Sequence, residues 1–155
     1  MCGIVAYIGK KDAFAIILKG LKQLEYRGYD SAGVALLHKG ALNIYKRAGK
    51  VSVLEEYARQ CDIQGHAGIG HTRWATHGLP NDINAHPHYS MDGSIALIHN
   101  GIIENYDILK KELINEGYTF RSETDTEVLV HLVDHISKKE GVWFGEALRI
   151  ALNHV

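Results

Sequence analysis

Cysteine and proline are both scarce, with two of each in 155 residues. Two thiols, Cys2 and Cys61, are too few for a disulfide scaffold or a cysteine-bound zinc cluster, so a reducing, cytoplasmic setting is expected. With so little proline, and neither repeats nor low-complexity stretches, the chain offers no internal linker. Excess charge is missing as well. The formal net charge is −1, and the lysines and arginines are scattered, so neither nucleic acid nor an anionic membrane is expected as a partner. No apolar run approaches the length that spans a bilayer; the stretch 95–98 is typical. A signal-peptide layout is absent too, because Lys10 and Lys11 follow the apolar stretch 2–8 instead of preceding it. What is present, 46% hydrophobic and 23% charged residues, is ordinary for one globular domain with a real core.

Periodicity outlines the elements. Gly3 to Ile8 is a short apolar run with β-branched residues, which suits a buried strand. Asp12 can cap a helix whose apolar face is Phe14, Ile17, Leu18, Leu21 and Leu24. Stretches 33–38 and 41–47, separated by Lys39-Gly40, read as a hairpin. A short helix is expected over 51–61, and strands over 67–71 and 94–99. Between those strands, residues 74–92 are rich in Gly, His, Asn and Pro, and a loop of that length suggests a lid or binding loop. Asn105 can cap a helix carrying Leu109, Leu113 and Ile114, stopped at Gly117. Thr124 and Glu127 have capping-box spacing ahead of a helix with Val128, Leu129, Leu132, Val133 and Ile136 on one face. Residues 142–155 read as a last helix. Strands followed by helices and further short strands give an α+β class.

Five places could carry chemistry. Cys2 lies directly before a strand, and trimming of Met1 would leave it a free α-amine. An amine with a pKa of about 7.7–8.0 beside a thiol of about 8.5 can exchange protons near neutrality, so one residue could supply both nucleophile and base; a small buried hydrophobe is the plain alternative. The stretch Glu25-Tyr26-Arg27-Gly28-Tyr29-Asp30 joins helix to strand and could equally be a well-made turn. Arg73, at a strand end, can grip a carboxylate bidentately, and Trp74 can cover a small ligand; alternatively Arg73 pairs with an acid and Trp74 fills core. Asn100 and Gly101 offer an amide and an N–H converging on one point, as an oxyanion needs, although Asn-Gly is also a common tight turn. Asp125, in a first helical turn, could hold an ammonium group or simply favour the helix dipole.

Taken in order, these residues resemble the class II (type-2) glutamine amidotransferases, whose domains begin Cys-Gly-Ile-Val, as do Cys2 to Val5 here. Residues 25–33 and 71–78 are most similar to the hexosamine-forming branch, with Asn84-Ala85-His86-Pro87-His88 and 122–127 in agreement. The phosphoribosylamine-forming and asparagine-forming branches share the Cys2 start and the Asn100-Gly101 pair. The resemblance covers essentially the whole chain. It implies an N-terminal-nucleophile hydrolase fold, a four-layer αββα sandwich, incomplete at the C-terminus, with residues 1–155 forming part of the type-2 domain. It implies L-glutamine as substrate and no cofactor. Cys2 would be the nucleophile, Asn100 and Gly101 the oxyanion donors, and Arg73 and Asp125 the partners of the substrate's carboxylate and ammonium. Trp74, Thr76 and His77 would belong to the loop over glutamine, with Arg27 and Gly28 near the amine of Cys2. In this branch the ammonia reaches a sugar-isomerase domain, absent here, and aminates fructose 6-phosphate. A piece of this length is expected to lack part of one sheet, to expose apolar surface that self-association would cover, and to be weakly active or inactive as a glutaminase by itself.

Two other readings compete. A glutamine-binding regulatory module would use Arg73 and Asp125 equally well. A metal-dependent hydrolase is suggested by ten histidines, but between His131 and His135 the residue Leu132 stands where a zincin helix needs glutamate. That pair flanks the apolar stripe and is expected at the solvated surface, so no metal is expected.

Overall fold

The apolar run behind Cys2 forms strand β1 (Gly3–Ile8), but the strand is not buried as expected: Val5 and Tyr7 pack against the core of the first unit, while Ile4, Ala6 and Ile8 on the other face are exposed. The computed structural model describes residues 2–74 and 78–155, divided into two units, Met1–Pro87 and His88–Val155. In the first unit, Asp12 caps helix α1 (Ala13–Leu24) by accepting the Phe14 N–H at 3.0 Å. A 3-10 turn, Glu25–Arg27, leads into β2 (Ser31–His38). Strand β3 (Ala41–Ala48) returns antiparallel through Lys39 and Gly40, both at positive φ, which closes the hairpin as the Lys-Gly pair suggests. Helix α2 (Val51–Ala58) and strand β4 (Ala67–Arg73) follow. The sheet order is β1-β4-β2-β3, antiparallel throughout.

Helix α1 buries Phe14, Ile17, Leu18 and Leu21 against Val34 and Leu36 of β2 and Val51 and Leu54 of α2. Each such side chain contributes roughly 1.5–3 kcal/mol of transfer free energy. Segment 84–87 approaches β2 at Gly33, where a β-carbon would stand 2.1 Å from the carbonyl oxygen of His86. Backbone cannot yield there as a flexible side-chain end can. Gly33→Ala is therefore expected to destabilise the unit by about 1–3 kcal/mol. Urea denaturation checks this: an unchanged midpoint would mean that the segment does not rest on Gly33.

In the second unit, β5 (His88–Tyr89) and β6 (Ala96–Leu97) pair antiparallel. Helices α3 (Tyr106–Asn115), α4 (Asp125–Glu140) and α5 (Phe144–Ala151) complete it. Its core gathers Leu97, Ile103, Leu109 and Leu113 around Val128, Leu129, Val133 and Ile136 of α4, with Ala147 and Ala151 of α5. Helix α4 has Asp125 and Glu127 in its first turn and Lys138 and Lys139 in its last, as the helix dipole favours, and ends at Gly141 in the left-handed region.

Several boundaries differ from the sequence reading. Strand β4 runs on to Arg73, because Arg73 still pairs with Ser31. The strand expected over 94–99 shrinks to Ala96–Leu97, since Asp92 Oδ1 takes the Ser94 N–H at 3.0 Å and Ser90 Oγ takes that of Ile95 at 3.1 Å. Side chains have claimed donors that a ladder would use. Hydrogen bonds from Ser90 Oγ and Ser94 Oγ, the ammonium of Lys138 and the Ser94 N–H together hold the Asp92 carboxyl well below the usual carboxylate range. Helix α2 stops at Ala58 and leaves Cys61 exposed in a turn; α5 covers only the middle of 142–155. Ile114 is 51% exposed, so the buried face of α3 rests on Leu109 and Leu113. Asn105 precedes α3 without capping it through its side chain, and its amide donates instead to the carbonyl of His154 at 2.6 Å.

Candidate active site

Site residues of the first unit collect around the ends of β1 and β4. Gly3 pairs with Thr72, and this brings half-buried Cys2 beside the residue after β4. The Trp74 N–H donates to Cys2 Sγ at 3.2 Å, and the thiol lies 3.5 Å from the Trp74 carbonyl oxygen. Trp74 is 53% exposed, so it does not fill core. Its indole lies against Gly28, where a β-carbon would come within 2.7 Å of the ring; Gly28 is also at φ 86°. The turn after α1 is thus shaped to receive that ring, which explains the glycine beside Arg27.

Arg73 is 3% exposed. Its Nη1 lies 3.8 Å from Asp30 Oδ1 and donates to the Leu79 carbonyl at 3.4 Å. Asp30 is fixed in turn: its N–H donates to the Arg73 carbonyl at 2.7 Å, and its Oδ1 accepts from Ser31 Oγ at 2.9 Å. A buried guanidinium needs such a counter-charge. The acid was visible in the sequence only as part of a turn. The motif at 84–88 proves structural in its first half. Asn84 donates to the same Leu79 carbonyl at 3.0 Å, and the rings of His86 and His71 lie 4.6 Å apart. Thr76 and His77 lie outside the described residues.

Site residues of the second unit sit on loop 98–105 and at the start of α4. Asn100 and Gly101 are exposed, and a β-carbon on Gly101 would stand 2.6 Å from His99 Nε2. Asp125, 5% exposed, accepts the Ile103 N–H on Oδ2 at 2.9 Å. The expected capping box is corrected. Thr124 precedes α4, but its hydroxyl meets His88 Nε2 at 2.8 Å and Ser122 Oγ at 3.0 Å. Glu127 reaches past it to the N–H groups of Arg121 at 2.9 Å and Ser122 at 2.6 Å, and takes Ser122 Oγ at 2.6 Å. Burial opposes charge on this carboxyl, but its interactions with His131, Ser122 and the two N–H groups prevail and bring it down to about 2. His131, expected at the solvated surface, is fully buried. It lies 3.7 Å from Glu127 and is flanked by the rings of Tyr118 and Phe120. Glu127 was read from its spacing as the box partner of Thr124, whereas its carboxylate serves Arg121 and Ser122.

Comparison with known proteins gives these arrangements their setting. Residues 57–142 match the family described as glutamine amidotransferase domain. The chain is 59% identical over its full length to a glutamine–fructose-6-phosphate aminotransferase (isomerizing) of Bacteroides thetaiotaomicron. It is 57% identical, again over its full length, to the enzyme of that name from Caldanaerobacter subterraneus. It spans 25% of the length of each. Among solved structures, the glutamine phosphoribosylpyrophosphate amidotransferase of B. subtilis superposes with a TM-score of 0.79 at 30% identity, over 97% of this chain and 32% of that one. A cysteine at the head of an antiparallel sheet, in this architecture, defines the class: the fold is that of the N-terminal-nucleophile hydrolases. Within that class the chain belongs to the glutamine amidotransferase domain family.

Proposed function

We propose that the domain to which this chain contributes hydrolyses L-glutamine to glutamate and ammonia, with Cys2 as the nucleophile. Once Met1 is removed, the α-amine of Cys2 accepts the thiol proton and the sulfur attacks the side-chain carboxamide. The tetrahedral oxyanion is held by the Asn100 amide and the Gly101 N–H. Collapse forms a thioester and releases ammonia, which leaves with the proton; water then cleaves the thioester to glutamate and restores the thiol. Arg73 binds the substrate α-carboxylate and Asp125 its α-ammonium, and the loop bearing Trp74, Thr76 and His77 closes over it. Arg27 and Gly28 shape the surroundings of the amine.

The observation that carries this reading is the thiol of Cys2, half-buried at the head of β1, receiving the Trp74 N–H next to buried Arg73.

Residues 1–155 act, in this reading, as part of one type-2 glutaminase domain. The names of the 57–59% identical relatives support a role in passing ammonia to fructose 6-phosphate, on a sugar-isomerase domain, to make glucosamine 6-phosphate. We place the protein in the cytoplasm and expect it to self-associate; no described helix is long and apolar enough to cross a membrane. The test uses the full-length protein, with Met1 removal verified by intact mass. Glutamate should appear with glutamine, and an electrophilic glutamine analogue should add its mass to the Cys2 peptide. Glutamine binding by the Met1-free protein without glutamate release would overturn catalysis in favour of a binding module.

A further inference from the structure

We propose that Asp125 serves twice, one carboxylate oxygen positioning the oxyanion loop and the other left for the substrate's ammonium. The inference rests on the glutaminase reading for the identity of that ammonium, but the loop contact stands on geometry alone. Residues 98–105, between β6 and α3, belong to no strand or helix. Ile103 is a fixed point among them. Its side chain is 3% exposed in the core of the second unit, and its N–H donates to Asp125 Oδ2 at 2.9 Å. The other oxygen, Oδ1, accepts from the hydroxyl of Thr126 at 3.5 Å, the outer limit of a hydrogen bond. It retains acceptor capacity.

The carboxylate itself is well braced. Asp125 opens α4, and two residues on, Glu127 ties the preceding turn at Arg121 and Ser122 to the same helix. Asn100 and Gly101 precede Ile103 by three and two residues, so the Ile103 anchor limits where their donors can point. A charge-assisted N–H bond is roughly twice as strong as a neutral one, and a displacement of about 1 Å can cost on the order of 100-fold in rate. Substrate recognition and oxyanion stabilisation therefore share one side chain.

Two substitutions separate these roles. Asp125→Asn keeps an oxygen that can accept the Ile103 N–H but loses the charge; Asp125→Ala loses both. In the full-length, Met1-free protein, D125N should raise KM for glutamine by about tenfold or more while kcat stays within about threefold. D125A should lower kcat by a further factor of about 10–100, the order seen when an oxyanion donor is disturbed. On 4-carbamoylbutanoate, which is glutamine without its α-amino group, the KM penalty of D125N should shrink, because there is no ammonium contact left to lose, and D125A should still lose kcat. Amide exchange at Ile103 should stay slow in D125N and become fast in D125A. Asp125→Ser, too short to reach the N–H, replaces D125A if that variant does not fold. Equal kcat for D125N and D125A on both substrates, with equal exchange at Ile103, would overturn the proposal. An unaltered protein that hydrolyses neither substrate would sink the glutaminase reading instead, and exchange at Ile103 would then decide the loop contact by itself.

Discussion

Replacing Cys2 by alanine is expected to abolish glutamine hydrolysis, lowering kcat by a factor on the order of 10⁴ or more. Removing the nucleophile of a covalent mechanism takes away the step that the other groups serve, and losses of about 10⁴–10⁶ are usual. Position 2 lies before the first strand pair, Gly3 with Thr72, so alanine there should leave folding stability within about 0.5 kcal/mol. Retention of Met1 should produce the same loss by another route. The nitrogen of Cys2 would then be an amide and could not accept the thiol proton. Iodoacetamide should still alkylate Cys2 in the Met1-bearing protein, only more slowly. Glutamate production by Cys2→Ala at more than about 1% of the normal rate would contradict the mechanism.

Glu127→Ala is expected to have the largest effect on stability, a loss on the order of 3 kcal/mol. The carboxylate satisfies the N–H groups of Arg121 and Ser122 and the hydroxyl of Ser122. With alanine in place, these buried donors lose their acceptor, at roughly 1–3 kcal/mol for each left unpaired. Its pH dependence has a definite sign. The folded carboxyl is lowered from 4.5 to about 2, so its contribution is full above the unfolded value. It declines as pH falls below about 4.5 and is gone once pH passes the folded value near about 2. Urea midpoints from pH 7 downward should fall in that window for the unaltered protein and fall less steeply for Glu127→Gln. Equal slopes in the two proteins would rule out the assignment.

The first unit was largely legible from its sequence because its elements obey simple periods. Helix α1 reads from Phe14, Ile17, Leu18 and Leu21 with Asp12 in front of it, and the β2–β3 hairpin from Lys39-Gly40 between apolar runs. In the second unit, side chains override the local pattern. Asp92 and Ser90 take N–H groups from a run that reads as strand, and Glu127 reaches back beyond the residue that box spacing nominates. His131 looks like a surface residue on a helical wheel, yet it is enclosed by Tyr118, Phe120 and Glu127. A wheel records which side of a helix a residue is on, whereas α4 is covered on several sides by α3, α5 and the β5–β6 pair. Among the candidate site residues, Asn100 stands in the loop after β6 and not at a strand end, whereas Cys2, Arg73 and Asp125 were legible as residue types at the ends of elements. Their holders, Asp30 and Ile103, were not, because a contact across 22 residues, as from Ile103 to Asp125, leaves no trace in spacing.

The register of β1 bears on how such a protein matures. Its pairing with β4 starts at Gly3 and runs to Ile8, so loss of the initiator methionine removes no rung of the sheet. In the proposed mechanism, activation and folding are thereby separable events, since a single peptide-bond cleavage outside the sheet converts an inert precursor into the active form.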